Sequence, residues 1–242
     1  MKITGKKVII IGASSGIGRA LAELLVSKGN IVGITGRRTA LLQQLEDTDP
    51  HRIYCHSFDV TDTLPCAQHL DVLLSKMGSA DILINCAGNG EINESLDFEV
   101  EKEMIALNVS GFTCIADWAF NYFKSQGYGH LVTISSVAGL RGSRQAPAYS
   151  ASKAYQINYL EGLRQKARHE KSKIVITDIR PGFVDTPMAK SPVKFWVSPV
   201  DKAARQIYQA LSKQKKVVYI TRRWQLVAGL YRCLPARLHE RM

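Results

Sequence analysis

The stretch that most constrains this chain is Lys6-Lys7-Val8-Ile9-Ile10-Ile11, which runs directly into Gly12-Ala13-Ser14-Ser15-Gly16-Ile17-Gly18. The first six residues read as a short strand buried on both faces. Ala20, Leu21, Leu24 and Leu25 then recur at helical spacing. A strand, a glycine-rich turn and a helix form a phosphate-binding arrangement. The glycines admit close backbone approach, while the first helical N–H groups and the helix dipole attract an anion. The spacing is G-x-x-x-G-x-G rather than the more common G-x-G-x-x-G. A plain tight turn is the alternative, and the flanking strand and helix weigh against it.

A second constellation lies at Tyr149-Ser150-Ala151-Ser152-Lys153, with Ser136 thirteen residues before the tyrosine. On a helix, residues four apart share one face. A free phenol, with a pKa of about 10, is a poor acid or base at neutral pH. An ammonium beside it favours the phenolate and brings it toward working range. A neighbouring hydroxyl could bind an oxygen on which charge develops. Taken alone, Tyr-x-x-x-Lys describes many ordinary helix faces, and it gains force from the cofactor-type turn at the N-terminus.

At 242 residues, with 45% hydrophobic and 22% charged residues, the chain is expected to form one globular α/β domain. No apolar run is long enough for a membrane span, and the first strand begins too early to leave room for a signal peptide. Cys55, Cys66, Cys86, Cys114 and Cys233 are odd in number and lack C-x-x-C spacing, which suggests reduced thiols and a cytoplasmic location. The six histidines form no ligand pair, so no metal is expected. Net charge is +11, of which +7 belongs to residues 213–242. The remainder of the chain is therefore not a broad nucleic-acid-binding surface.

Strand and helix patterns alternate throughout. Strands are expected at 6–11, 31–35, 52–58, 81–85, 130–135, 173–179 and 217–220. Helices are expected at 39–46, 64–77, 96–126, from about Pro147, and at 198–211, with a loop over 183–197. The helix at 96–126 is apolar over so wide an arc that packing on the sheet and against another subunit is expected. Alternating elements imply right-handed crossovers and a parallel sheet with ligands at the strands' carboxyl ends. Gly12, Asp59, Asn85, Ser136 and Pro181 all fall at or just past such ends.

Taken together, Gly12-x-x-x-Gly16-x-Gly18, Asp59, Asn85-Cys86-Ala87-Gly88, Asn108, Ser136, Tyr149-x-x-x-Lys153 and Pro181-Gly182 resemble the short-chain dehydrogenase/reductase family over about residues 6–220. The resemblance implies a single-domain Rossmann fold: a doubly wound parallel sheet of about seven strands with helices on both faces. Residues 1–220 would form the dinucleotide-binding and catalytic part, and 221–242 a basic amphipathic extension of the same domain. It also implies a nicotinamide cofactor, reversible hydride transfer between an alcohol and a carbonyl, and a homodimer or homotetramer. Tyr149 would then be the acid/base. Lys153 would lower its pKa and hold the nicotinamide ribose, and Ser136 would bind the substrate oxygen. Asn108 would shape the long helix and anchor a water-mediated proton relay. Gly12, Ser14, Ser15, Gly16, Ile17 and Gly18 would cradle the pyrophosphate. Asp59 and Val60 would meet the adenine, and Asn85, Ala87 and Gly88 would line the cofactor. Pro181, Gly182, Val184 and Thr186 match the segment that fixes the nicotinamide amide. Ile11 and Cys86 depart from the family's usual Thr and Asn, at positions where it varies. Asn85 and Asn108 have the alternative role of satisfying nearby backbone, and Asp59 that of capping the next segment.

After the second strand comes Thr35-Gly36-Arg37-Arg38, with no acidic residue nearby. An acidic side chain there would suit the ribose 2′-hydroxyl of NAD, whereas two guanidiniums suit a 2′-phosphate. NADP(H) is favoured over NAD(H), and carbonyl reduction is the favoured direction. Met188, Pro192, Val193, Phe195 and Trp196 suggest an apolar lid and a hydrophobic carbonyl or alcohol substrate, unless the loop simply packs on its own domain. Trp224, Val227, Leu230, Tyr231, Leu234 and Leu238 repeat at helical spacing among arginines. They could cover the active site or a subunit interface, lie on an anionic membrane, or meet another partner. The competing function is a redox-inactive nucleotide-binding regulator. An intact Asn108, Ser136, Tyr149 and Lys153 set argues against it.

Overall fold

The computed structural model describes residues 3–188 and 195–240. Pro192 and Val193 of the expected lid lie outside the described residues. The apolar run of the first strand, β1 (Lys7–Ile11), explains the architecture around it. Val8 and Ile10 point into one buried layer and Ile9 and Ile11 into the other, so the strand must be covered on both faces. It pairs in parallel with β2 (Ile31–Gly36) and β4 (Ile82–Asn85). With β3 (Ile53–Ser57), β5 (Tyr128–Ile134), β6 (Lys173–Pro181) and β7 (Val217–Ile220), the seven strands order as β3-β2-β1-β4-β5-β6-β7, every pair parallel. This is the doubly wound arrangement, reversing direction of growth at β1 and β4.

One face is covered by α1 (Gly16–Ser27), α2 (Thr39–Glu46) and α7 (Val200–Ser212). The other is covered by α3 (Cys66–Met77), α5 (Phe112–Gln126) and α6 (Pro147–His169). Register puts the carboxyl ends level: Ile11 is opposite both Thr35 and Asn85, Asn85 opposite Thr133, and Ile134 opposite Ile179. The residues following those positions therefore meet along one edge.

Most elements fall within a residue or two of expectation, and the differences have local causes. The helix expected from residue 96 begins as α4 (Phe98–Ile105), because Leu96 has a φ of 56° and the Asp97 side chain caps the first turn, accepting from Glu99 N at 3.0 Å. It is also not one α-helix. A π-helical turn, Ala106–Gly111, separates α4 from α5. The wide apolar arc is largely accounted for within the chain: Met104, Leu107, Phe112, Ile115, Ala119 and Phe123 are all buried. Pro65 delays α3 to Cys66, and Ser198 pairs with Val184 in an isolated bridge before α7 starts. The tail forms α8 (Trp224–Cys233) and, after Pro235, the short α9 (Ala236–His239). Among the described residues no helix is long and apolar enough to cross a membrane.

His130 on β5 is 5% exposed, and its Nε2 lies 2.8 Å from Thr177 Oγ1. Burial pushes its pKa down to about 4. The unfolded chain, with histidine near 6.5, binds this proton first. The stability contributed is complete above about 6.5 and is lost as pH falls toward 4. Between pH 7 and 4 the wild-type protein should lose on the order of 3 kcal/mol more than His130→Gln, measured by urea unfolding. Equal losses would show that His130 does not resist protonation.

Candidate active site

The turn after β1 is shaped by close backbone approach. Gly12 has a φ of 82°, and a Cβ there would lie 2.8 Å from Ala87 N; one on Gly18 would lie 2.2 Å from Gly12 O. The turn thus presses against the chain leaving β4, with Gly18 packed in the first turn of α1. Ser15 occupies the N-cap position with extended backbone but makes no side-chain cap, and no acidic residue stands in the first turn. The leading N–H groups of α1 thus lack the usual side-chain acceptor. Ser14, Gly16 and Ile17 line the same cleft, whose volume is about 1160 Å³.

Arg38 reaches back from the end of β2 to this turn. Its Nε and an Nη donate to Ser14 Oγ at 3.0 and 2.7 Å, and the same Nη donates to Ser15 Oγ at 2.6 Å. Among the described residues Arg37 makes a loose, exposed pair with Asp59 at 3.7 Å. Such a contact is weak and exchanges readily. Asp59 Oδ1 meanwhile accepts from Thr61 N and Oγ1 at 2.9 and 2.8 Å, so it does cap the next segment while lining the cleft beside Val60.

Two expected residues lie behind the cleft rather than in its wall. Asn85 is buried, and its Oδ1 accepts from Ala87 N at 3.1 Å, fixing the turn that presents Ala87 and Gly88. Asn108, fully buried in the π turn, bonds through its side chain to Asn89 and Ser152. Its backbone carbonyl accepts from Gln156 Nε2 at 2.8 Å.

Ser136, Tyr149 and Lys153 do meet in the cleft. Ser136 caps a short 3₁₀ turn, its Oγ accepting from Ala138 N at 3.1 Å. The neighbouring Ser135 hydroxyl is instead bonded to buried Asp178, which separates the roles of the two serines. Lys153 Nζ sits 5.9 Å from the centroid of the Tyr149 ring and donates to Ile134 O at 3.2 Å and Gln156 Oε1 at 3.0 Å. Burial lowers its pKa to about 8, opposed by the charge of Asp178 and by Cys86. The expected depression of the Tyr149 pKa by Lys153 is not what governs the phenol here. Burial raises it, and a hydrogen bond with Ser136 draws it partly back.

Pro181, Gly182, Val184 and Thr186 line the cleft's far end. The tail, one cover for the site that the sequence offers, lines it there with Trp224 and Tyr231. Trp224 of α8 lies so close over Gly182 that a Cβ on the glycine would fall 1.9 Å from the indole. Phe183 and Phe195 pack on Trp224 with centroids 5.6 and 4.9 Å away. Arg141 Nε donates to Tyr231 O at 2.8 Å, and its Nη2 to Leu234 O at 2.5 Å, tying the tail to the cleft rim. Among the described residues no group of three or more His, Cys, Asp or Glu is placed to hold a metal ion. Gly182→Ala should expel the indole. Tryptic cleavage at the exposed Arg222 and Arg223 should then accelerate about tenfold or more, while the sheet core keeps its melting temperature. An unchanged cleavage rate would show that Trp224 does not anchor the tail.

A family model described as short chain dehydrogenase matches residues 6–195. An uncharacterised oxidoreductase of Staphylococcus haemolyticus is 32% identical over 192 residues, covering 78% of this chain and 82% of its own. A short-chain dehydrogenase from Burkholderia cenocepacia, solved in complex with NADP, is similar with a TM-score of 0.85 and 25% identity, covering 100% of this chain and 98% of the other. Another from Burkholderia phymatum, solved with NAD, has a TM-score of 0.84 at 19% identity, covering 95% and 94%, and speaks to the fold alone. The chain belongs to the short-chain dehydrogenase family of oxidoreductases.

Proposed function

We propose that the chain interconverts a carbonyl compound and an alcohol using NADP(H), with Tyr149 as the acid/base. The observation that carries this reading is the convergence of Ser136, Tyr149 and Lys153 in the same cleft as the uncapped start of α1. The cleft fits a dinucleotide. The turn Gly12–Gly18 would hold the pyrophosphate, and Asp59 and Val60 the adenine end. Ala87, Gly88, Lys153 and the strip from Pro181 to Thr186 would take the nicotinamide end. The cofactor, when bound, supplies the hydride.

The chain's own residues manage the proton. Burial keeps Tyr149 protonated, as an acid for reduction requires. Ser136 can donate to the same substrate oxygen and steady the charge that develops there. Once Tyr149 gives up its proton, the Lys153 ammonium and Ser136 stabilise the phenolate. Above about pH 8 Lys153 loses its proton, so this support fades. The kcat/KM for reduction should therefore fall as pH rises through that value. The rings of Phe183, Phe195 and Trp224 make one wall apolar and favour a hydrophobic substrate.

Preference for NADP(H) rests on Arg38, already held against Ser14 and Ser15 where a 2′-phosphate would be sought, and on the exposed Arg37 beside it. Arg38→Ala should weaken NADPH binding about 10- to 100-fold and leave NADH within about threefold, by calorimetric titration. NADH bound by the wild type as tightly as NADPH would contradict the assignment. A screen of NADPH oxidation over ketones, aldehydes and 3-oxoacyl compounds tests the activity itself. Tyr149→Phe should lose about 100-fold or more, and full activity in that variant would overturn the mechanism.

A further inference from the structure

Lys153 is tied to the neighbouring helix through a residue that belongs to neither motif. Gln156 follows it by three positions on α6 and is completely buried. Gln156 Oε1 accepts from Lys153 Nζ at 3.0 Å, and Gln156 Nε2 donates to the Asn108 carbonyl at 2.8 Å. That carbonyl lies in the π turn Ala106–Gly111. A π turn disturbs the regular helical ladder, so a buried carbonyl within it gains from a side-chain donor. The amide can bridge these partners in one orientation only. Turned over, it would set its NH₂ against the ammonium and its oxygen against the carbonyl.

We propose that Gln156 is a positioning residue for the Tyr149–Lys153 pair: its amide clamps the Lys153 ammonium to the Asn108 carbonyl and so fixes both the place and the charge of that ammonium. The inference rests on the acid/base reading of Tyr149 and Lys153. Two of the three Lys153 N–H groups are committed, to Ile134 O and Gln156 Oε1, which leaves one for the cleft side. The other groups facing Lys153 act less directly. Asp178 on β6 is shared with Arg180 at 2.6 Å and with Ser135. Cys86, past β4, carries a thiol pushed up to about 12 by burial, and Tyr149 faces it from its own helix. An amide neither releases nor takes up a proton near neutrality. Gln156 thus holds Lys153 without itself exchanging a proton with it.

The clamp can be tested without turnover, by NMR titration of full-length protein carrying ¹³C at lysine Cε. One lysine should titrate well below the rest and vanish in Lys153→Met. Gln156→Met keeps the volume but removes both bonds, and should lower that midpoint by about one unit or more, a tenfold shift toward the neutral amine. Gln156→Glu should raise it. In turnover, the alkaline limb of kcat/KM should move the same way in each variant. If Gln156→Met does not fold, Gln156→Asn, whose amide is one methylene too short to reach both partners, supplies the comparison. A midpoint unchanged in folded variants would overturn the clamp. Full activity in Tyr149→Phe would overturn the acid/base reading instead, so the two failures are distinguishable.

Discussion

A buried ammonium is the constraint on which the rest of the site depends. Lys153 is 3% exposed, and a charge so placed persists only where acceptors and opposite charge surround it. Here they come from separate elements: the Ile134 carbonyl from the end of β5, the Gln156 amide from α6, and the field of Asp178 from β6. Shifting any one of these by a residue would leave the ammonium less compensated. The order β4-β5-β6, the packing of α6 and the π turn before α5 are thus linked through one side chain. The lowered pKa of Lys153 records how nearly burial and compensation balance.

The other half of the cleft obeys a complementary rule. Whereas Lys153 is a charge supplied with acceptors, the start of α1 offers donors without a side-chain acceptor. Arg38 adds further positive charge at the turn by bonding Ser14 and Ser15. An elongated, anionic dinucleotide would answer both demands, under the proposed reading with its phosphates at α1 and its reactive ring near Tyr149. The tail completes the enclosure, with Trp224 on Gly182 and Arg141 holding the backbone of Tyr231 and Leu234. Of the roles open to that tail, covering the cleft accounts for its inward residues. Leu226, Leu230 and Leu238 remain 74%, 62% and 52% exposed among arginines.

Much of the fold was legible because its signals are local. The β1 run, the glycine spacing and the strand-to-helix alternation each act over a few residues, and the parallel, doubly wound sheet follows from that alternation. The site residues were legible as types at fixed offsets. Their partners were not, because contacts across the fold leave no spacing to read. Nothing marks Gln156 as a bridge until the Asn108 carbonyl is seen opposite it, and nothing links Gly182 to Trp224 until the tail folds back. The burial that raises the Tyr149 pKa is likewise not readable from spacing. Sequence shows that Lys153 follows Tyr149 by four, but not that its bonds go to Ile134 and Gln156. The π turn was hidden as well, since the residues from Ala106 to Gly111 carry an ordinary helical pattern.

The central claim is that hydride moves from a reduced nicotinamide to a carbonyl carbon while Tyr149 supplies the proton. It is tested most directly by incubating the protein with NADPH deuterated at the transferable C4 position and a ketone that it turns over, then locating the label by mass spectrometry. The account predicts deuterium on the new carbinol carbon with wild-type protein and its near absence with Tyr149→Phe. Label transfer undiminished in Tyr149→Phe, or turnover that leaves the deuterium on the nicotinamide, would contradict it.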